Sequence, residues 1–232
     1  MNHRHLTRHI YSEKDVKKIE SQLLLLGDDV NYDAVTYMNI RLLTSILVFC
    51  LILSTVRFGY LFAPVLTIIY YYLFSYITLV KPRKARARKL DYEALHFFEI
   101  LTLTLESGRN LESALEMTVF NVESEISNEF KKTLFEIKFG KSLMEALEDM
   151  KKRIPSETIN NIILNITQTS VFGNSIIETM YHQIDFLRDK QILAIKGEMA
   201  KIPNKISIIS VLFIVPLILL LILGPFVINI LS

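Results

Sequence analysis

Tryptophan is absent from this chain and cysteine occurs once, at Cys50 inside an apolar run, so neither a disulfide framework nor a cysteine-based zinc site is available. The signatures of familiar catalysis are missing too. There is no Gly-x-x-x-x-Gly-Lys-Ser/Thr, no His-Glu-x-x-His, no Gly-x-Ser-x-Gly and no Cys-x-x-Cys. His3, His5 and His9 lie close together near the N-terminus, where any metal binding would be adventitious, and His96 and His182 stand alone. These absences predict a protein that is not an enzyme and carries no cofactor. The first forty residues hold no apolar stretch of the kind that opens a secreted protein, which predicts an N-terminus in the cytoplasm.

What the chain has in quantity is apolar residues, 51% of the total, with a mean hydropathy of +0.34. Both values are high for a soluble domain. Three runs free of Asp, Glu, Lys, Arg and His approach or exceed the roughly 20 residues that cross a bilayer: residues 42–56, 60–80 and 206–231. Only Arg57, Phe58 and Gly59 separate the first two, which predicts a tight transmembrane hairpin. Ionisable groups inside spans mark ion and substrate paths, and here there are none, which argues against a transporter.

Orientation follows from the basic residues beside the spans. Lys81, Arg83, Lys84, Arg86, Arg88 and Lys89 follow the second span, whereas Arg57 is alone on the other side. The basic side is expected to be cytoplasmic, with the C-terminus outside and the whole chain in the cell (inner or plasma) membrane. The six basic residues read as contacts to anionic lipid headgroups. A nucleic-acid reading competes, but residues 91–205 hold 13 basic and 18 acidic residues, a net of −5, while the rest of the chain nets +7. An acidic domain disfavours nucleic acid as a partner.

Residues 91–205 repeat apolar side chains at helical spacing and show no strand pattern. The breakers Gly108, Gly140, Pro155 and Gly173, with the polar stretch 121–124, divide this segment into about six helices. Gly108-Arg-Asn-Leu-Glu-Ser-Ala-Leu, Gly140-Lys-Ser-Leu-Met-Glu-Ala-Leu and Gly173-Asn-Ser-Ile-Ile-Glu-Thr-Met share one pattern, with glycines 32 and 33 residues apart. Each glycine can close a helix in the left-handed conformation, and the Asn or Ser two residues on can cap the next. Ser142 with Glu145, and Ser175 with Glu178, fit a capping box. The fold class is therefore all-α: a multi-pass membrane protein with three transmembrane helices and a six-helix cytoplasmic bundle of three helical hairpins. The expected divisions are 1–40, an N-terminal amphipathic segment; 41–80, the hairpin of spans; 81–90, a basic linker; 91–205, the bundle; and 206–232, the third span. A long last helix of the bundle is expected to run to the third span, kinked at Pro203.

A period near 33 also suits a helical solenoid, although the Trp-containing signature of tetratricopeptide repeats is missing. The ordered set of motifs is similar instead to the F-type platform family of type II secretion and type IV pilus assembly, and in particular to its single-domain members in tight-adherence (Tad/Flp) systems. The resemblance rests on Gly108, Leu111, Ala114 and Leu115; on Gly140, Leu143, Ala146 and Leu147; on Gly173 in the third corner, where Ile176, Thr179 and Met180 depart from the pattern; on Leu187-Arg188; and on Pro216 and Gly224-Pro225 in the last span. It implies a membrane platform that contacts a hexameric secretion ATPase, helps insert pilin or pseudopilin subunits, and works with a paralogous platform protein or as a homo-oligomer. Glu112 and Glu145 are the candidate ATPase-facing residues. A membrane-anchored helical scaffold or sensor unrelated to pili shares the same layout and stands as the alternative.

Overall fold

A computed structural model describes residues 11–27, 32–55, 59–172 and 176–231, and among these there is no strand. The chain divides into two compact units, Met1–Ile184 and Asp185–Ser232.

In the first unit, α1 (Glu13–Leu24) leads to α2 (Ala34–Thr55) and α3 (Gly59–Ser75), which pack as an antiparallel pair. Helix α3 does not end at the basic run. It widens into a π turn at Tyr76–Val80 and continues as α4 (Lys81–Glu106). Pro82 supplies the reason: it has no N–H for the carbonyl of Thr78, and its ring would clash there. The widened turn absorbs both, with the Lys81 N–H bonded to the Tyr76 carbonyl five residues back.

Helix α2 starts at Ala34, two turns before the apolar run that begins at residue 42. Its opening turns are held by a small core in which Ile19 and Leu23 of α1 meet Ala34, Tyr37 and Met38 of α2 and Leu79 of the π turn. The Tyr37 and Thr78 hydroxyls meet at 2.9 Å across this core. The N-terminal segment thus packs on the base of the hairpin.

Beyond α4 come α5 (Leu111–Asn121), α6 (Glu125–Lys138), α7 (Leu143–Arg153), α8 (Glu157–Phe172) and α9 (Ile176–Met199). Successive helices from α4 to α8 pack on their neighbours, and α4 also meets α6 and α8. The centre is aromatic: the Phe97 and Phe130 rings stack at 4.7 Å, and Phe98 stands edge-on to both. Leu90, Leu101, Ile126, Met150, Ile159 and Ile162 complete a fully buried core. The predicted corners are present at two of the three places. Gly108 and Gly140 have φ of +83° and +98°, a left-handed conformation that L side chains resist. Asn110 accepts the Ser113 N–H at 2.8 Å to cap α5, and Ser142 with Glu145 forms a reciprocal capping box on α7. The third corner, Gly173 to Ser175, lies outside the described residues.

In the second unit, α10 (Lys201–Leu231) follows α9 with only Ala200 between them. Pro203 sits in the first turn of α10, where the missing N–H is not needed. At 31 residues α10 is about 46 Å long, more than the hydrocarbon core requires. Among the described residues, three helical runs are long and apolar enough to cross a membrane: Ala34–Thr55, Tyr60–Glu106 and Ile176–Leu223.

Candidate functional site

Arg86 belongs to the basic run, but it also falls on a stripe of α4 that continues through Leu90, Ala94, Phe97, Leu101 and Leu105, every one of them buried. Spacings of three and four residues put these positions on one helix face, so the packing that buries the phenylalanines also turns Arg86 inward. It is 8% exposed. This corrects its assignment as a lipid-headgroup contact. Among its basic neighbours, Lys81, Lys84, Arg88 and Lys89 are exposed and Arg83 is half-buried. Lys89 reaches the Glu125 carboxylate at 3.1 Å, with its charge still exposed to solvent.

Around Arg86 four elements converge. Its Nε donates to Glu125 at 2.5 Å and its Nη2 to Glu129 at 2.9 Å, both on α6. Its Nη1 donates to the Leu25 carbonyl at 2.9 Å and the Arg153 carbonyl at 2.7 Å. These carbonyls lie at the C-terminal ends of α1 and α7, where helix carbonyls lack partners of their own and the helix dipole favours a cation. One guanidinium therefore joins the N-terminal helix α1 to two helices of the bundle. Gly27 lets it do so: its φ is +87°, and a Cβ there would come within 2.8 Å of the Arg86 Nε.

A second arginine extends the network. Arg153 donates to Glu129 at 3.2 Å, Glu136 at 2.7 Å and the Thr133 hydroxyl at 3.2 Å. Lys141 then bridges Glu136 and Asp149. Hydrogen bonds from Lys141 and Lys152 hold the Asp149 carboxyl down to about 2, and the two carboxylates raise the Lys141 ammonium. Glu129 is only 2% exposed yet receives Arg86, Arg153 and Lys132. A buried carboxylate is tolerated when it is matched in this way. Glu93 and Asp91 of α4 complete the arrangement: Glu93 accepts the Glu125 N–H at 2.7 Å, and Asp91 accepts the hydroxyl of Ser156, the residue before α8.

The other candidates separate by role. Ala114, Leu115, Ala146 and Leu147 are buried and Leu111 and Leu143 half-buried, so the corner motifs are packing elements. Glu145 is exposed, but its carboxylate serves the Ser142 cap; Glu112 lies exposed in the first turn of α5. Arg188 lies 3.7 Å from Asp185 on α9. Gly224 and Pro225 fall within α10, and His3, His5 and His9 lie outside the described residues. Sequence reasoning did not single out a groove of about 810 Å³ between α5 and α6, lined among others by Phe120, Phe135, Glu123 and Lys131. Phe120 is 85% exposed, and Phe139 nearby is 76% exposed. Their signal was an aromatic at a position the helical period assigns to solvent.

The chain matches the family described as type II secretion system (T2SS), protein F, over residues 97–224. The match begins inside α4 and ends inside α10, so it covers more than half of the chain and leaves α1, the membrane hairpin and Arg86 outside. No curated protein and no solved structure matches. With its apolar helices, its capped corners and a family match running from the aromatic core into the last apolar helix, the chain belongs to the type II secretion system protein F family of membrane platform proteins.

Proposed function

We propose that this protein is the membrane platform of a pilus-assembly or secretion machine of the tight-adherence kind, coupling a cytoplasmic hexameric ATPase to the insertion of pilin or pseudopilin subunits. The observation that carries this reading is the helical run from Gly59 through the π turn to Glu106, which links an apolar helix to the centre of the bundle without a loop. Helices transmit displacement where loops absorb it, so a push on the bundle reaches the α2–α3 hairpin directly. The Arg86 network locks α1, α6 and α7 onto the same run and keeps the base of the bundle from yielding. In this reading the acidic face that includes Glu112 meets the ATPase. A second F-type domain covers Phe120, Phe135 and Phe139, since exposed aromatic groups of this size are otherwise unusual on a water-facing domain.

The test is a four-glycine insertion between Val80 and Lys81. It should leave the protein membrane-bound and able to retain the ATPase in a detergent pull-down, while filament or pseudopilus assembly is lost. Normal assembly by the insertion variant would overturn the mechanical reading. Absence of any secretion ATPase from the wild-type pull-down under mild conditions would overturn the platform role and favour a scaffold.

A further inference from the structure

Arg41 stands where the packed cluster of α1, α2 and the π turn gives way to the exposed apolar sleeve of the hairpin. One turn before it, Tyr37 and Met38 are buried. Beside and beyond it, Ile40, Leu43, Leu47, Ile68, Ile69 and Tyr72 are exposed. A guanidinium at this level is expensive unless its donors are met, because hydrocarbon offers no acceptor. Its planar face is met: Cζ lies 4.2 Å from the Tyr71 ring centroid and 5.6 Å from that of Tyr37. Its Nε is buried and donates to no protein atom.

Stacking holds the half-buried guanidinium flat, and a flat guanidinium offers the fork geometry that fits two oxygens of one phosphate. The flanking side chains suit the headgroup level. Tyr72 near the end of α3 and Tyr76 at the start of the π turn are exposed, and tyrosines favour the membrane–water boundary.

We propose that Arg41, held flat by Tyr71 and Tyr37, is a binding site for a phosphate oxyanion, and that the phosphate is that of a phospholipid headgroup at the α1 end of the hairpin. The site is independent of the platform reading, since it needs only the hairpin and a bilayer.

The experiment is a lipid titration of the full chain in mild detergent, read by native mass spectrometry and thermal shift, with phosphatidylglycerol, diacylglycerol and sodium phosphate as separate probes. Wild-type protein should retain phosphatidylglycerol and be stabilised by it, and diacylglycerol and free phosphate should do neither. Arg41→Gln should weaken phosphatidylglycerol binding about tenfold or more, as expected for losing a charged, bidentate contact. Arg41→Lys, which keeps the charge but loses the planar fork, should weaken it about threefold or more. Tyr71→Leu should weaken it about threefold through loss of the stack. If Arg41→Gln fails to fold, Arg41→Lys decides the matter. Affinity unchanged in the Arg41 variants overturns the site. Equal binding of diacylglycerol shows that apolar contact alone suffices and overturns it as well. Competition by free phosphate overturns the assignment to lipid.

Discussion

The bundle and α10 use similar large apolar side chains in opposite ways. Phe97, Phe98, Phe130 and Ile162 point inward and are buried, whereas Leu212, Phe213, Leu217 and Leu221 of α10 are exposed along its length. Around the bundle, charged groups such as Glu112, Glu116, Lys141 and Lys152 lie at the surface; α10 carries no Asp, Glu or Arg, and its Lys residues, Lys201 and Lys205, sit in its first turns. The comparison teaches that inward burial is a response to water. A helix that will be solvated by hydrocarbon gains nothing by hiding leucine, and keeps its backbone bonded within itself.

The contrast breaks most visibly at the aromatic centre. Phe130→Ala should cost the bundle about 3–5 kcal/mol, seen as a large drop in the thermal unfolding midpoint of the full chain in detergent. Phe213→Ala should leave that midpoint unchanged. The Arg86 network responds in a similar range, for a different reason. Arg86→Ala strands the buried Glu129 and should cost about 3–5 kcal/mol, while the paired change Arg86→Met with Glu129→Leu should restore most of the loss, because packed apolar groups replace buried ion pairs well. Unfolding midpoints of the single and double variants distinguish the two outcomes.

A charge sharpens the comparison from the other side. Leu219→Arg at the middle of α10 should raise the cost of membrane insertion by about 2.5–3.5 kcal/mol, read as protein lost from the membrane fraction. Leu103→Arg, at a comparably exposed position on α4, should change stability by less than about 0.5 kcal/mol. A smaller effect belongs to the corners: Ser142→Ala removes the capping box of α7 and should cost about 1 kcal/mol.

The smallest effect is electrostatic. Asp149 is held at about 2 in the folded chain against 3.8 ordinarily, chiefly by hydrogen bonds from Lys141 and then Lys152. A lowered carboxyl stabilises the fold above its unfolded value and ceases to do so as pH falls through the folded one. Its contribution should therefore be complete at neutral pH and vanish between about 3.8 and 2. Acid titration of Asp149→Asn should lack that component, and salt should shrink it in the wild type.

Much of this architecture was legible residue by residue. The corners at Gly108 and Gly140 were readable because the left-handed glycine and the cap two residues later act within one turn of chain. The apolar runs were readable because length and hydropathy are local sums. Legibility ended where helix faces had to be matched. Arg86 looked like one of six equivalent cations in its run, although the stripe it shares with Leu90, Ala94 and Phe97 carried the signal. The same limit hid the polar opening turns of α2 from Ala34, which are held by α1 packing on Tyr37 and Met38.

By itself, then, the sequence determined that the chain is helical, where its corners turn and which runs suit a bilayer, since each of these follows from interactions within about one turn or from composition along a single segment. Only the tertiary structure decided that Arg86 would gather α1, α6 and α7, that Arg41 would lie on Tyr71, and that Phe120 and Phe139 would stay exposed. Contacts made by Arg86 span 39 to 67 residues of chain, and which faces meet over such separations is set by the packing of whole helices.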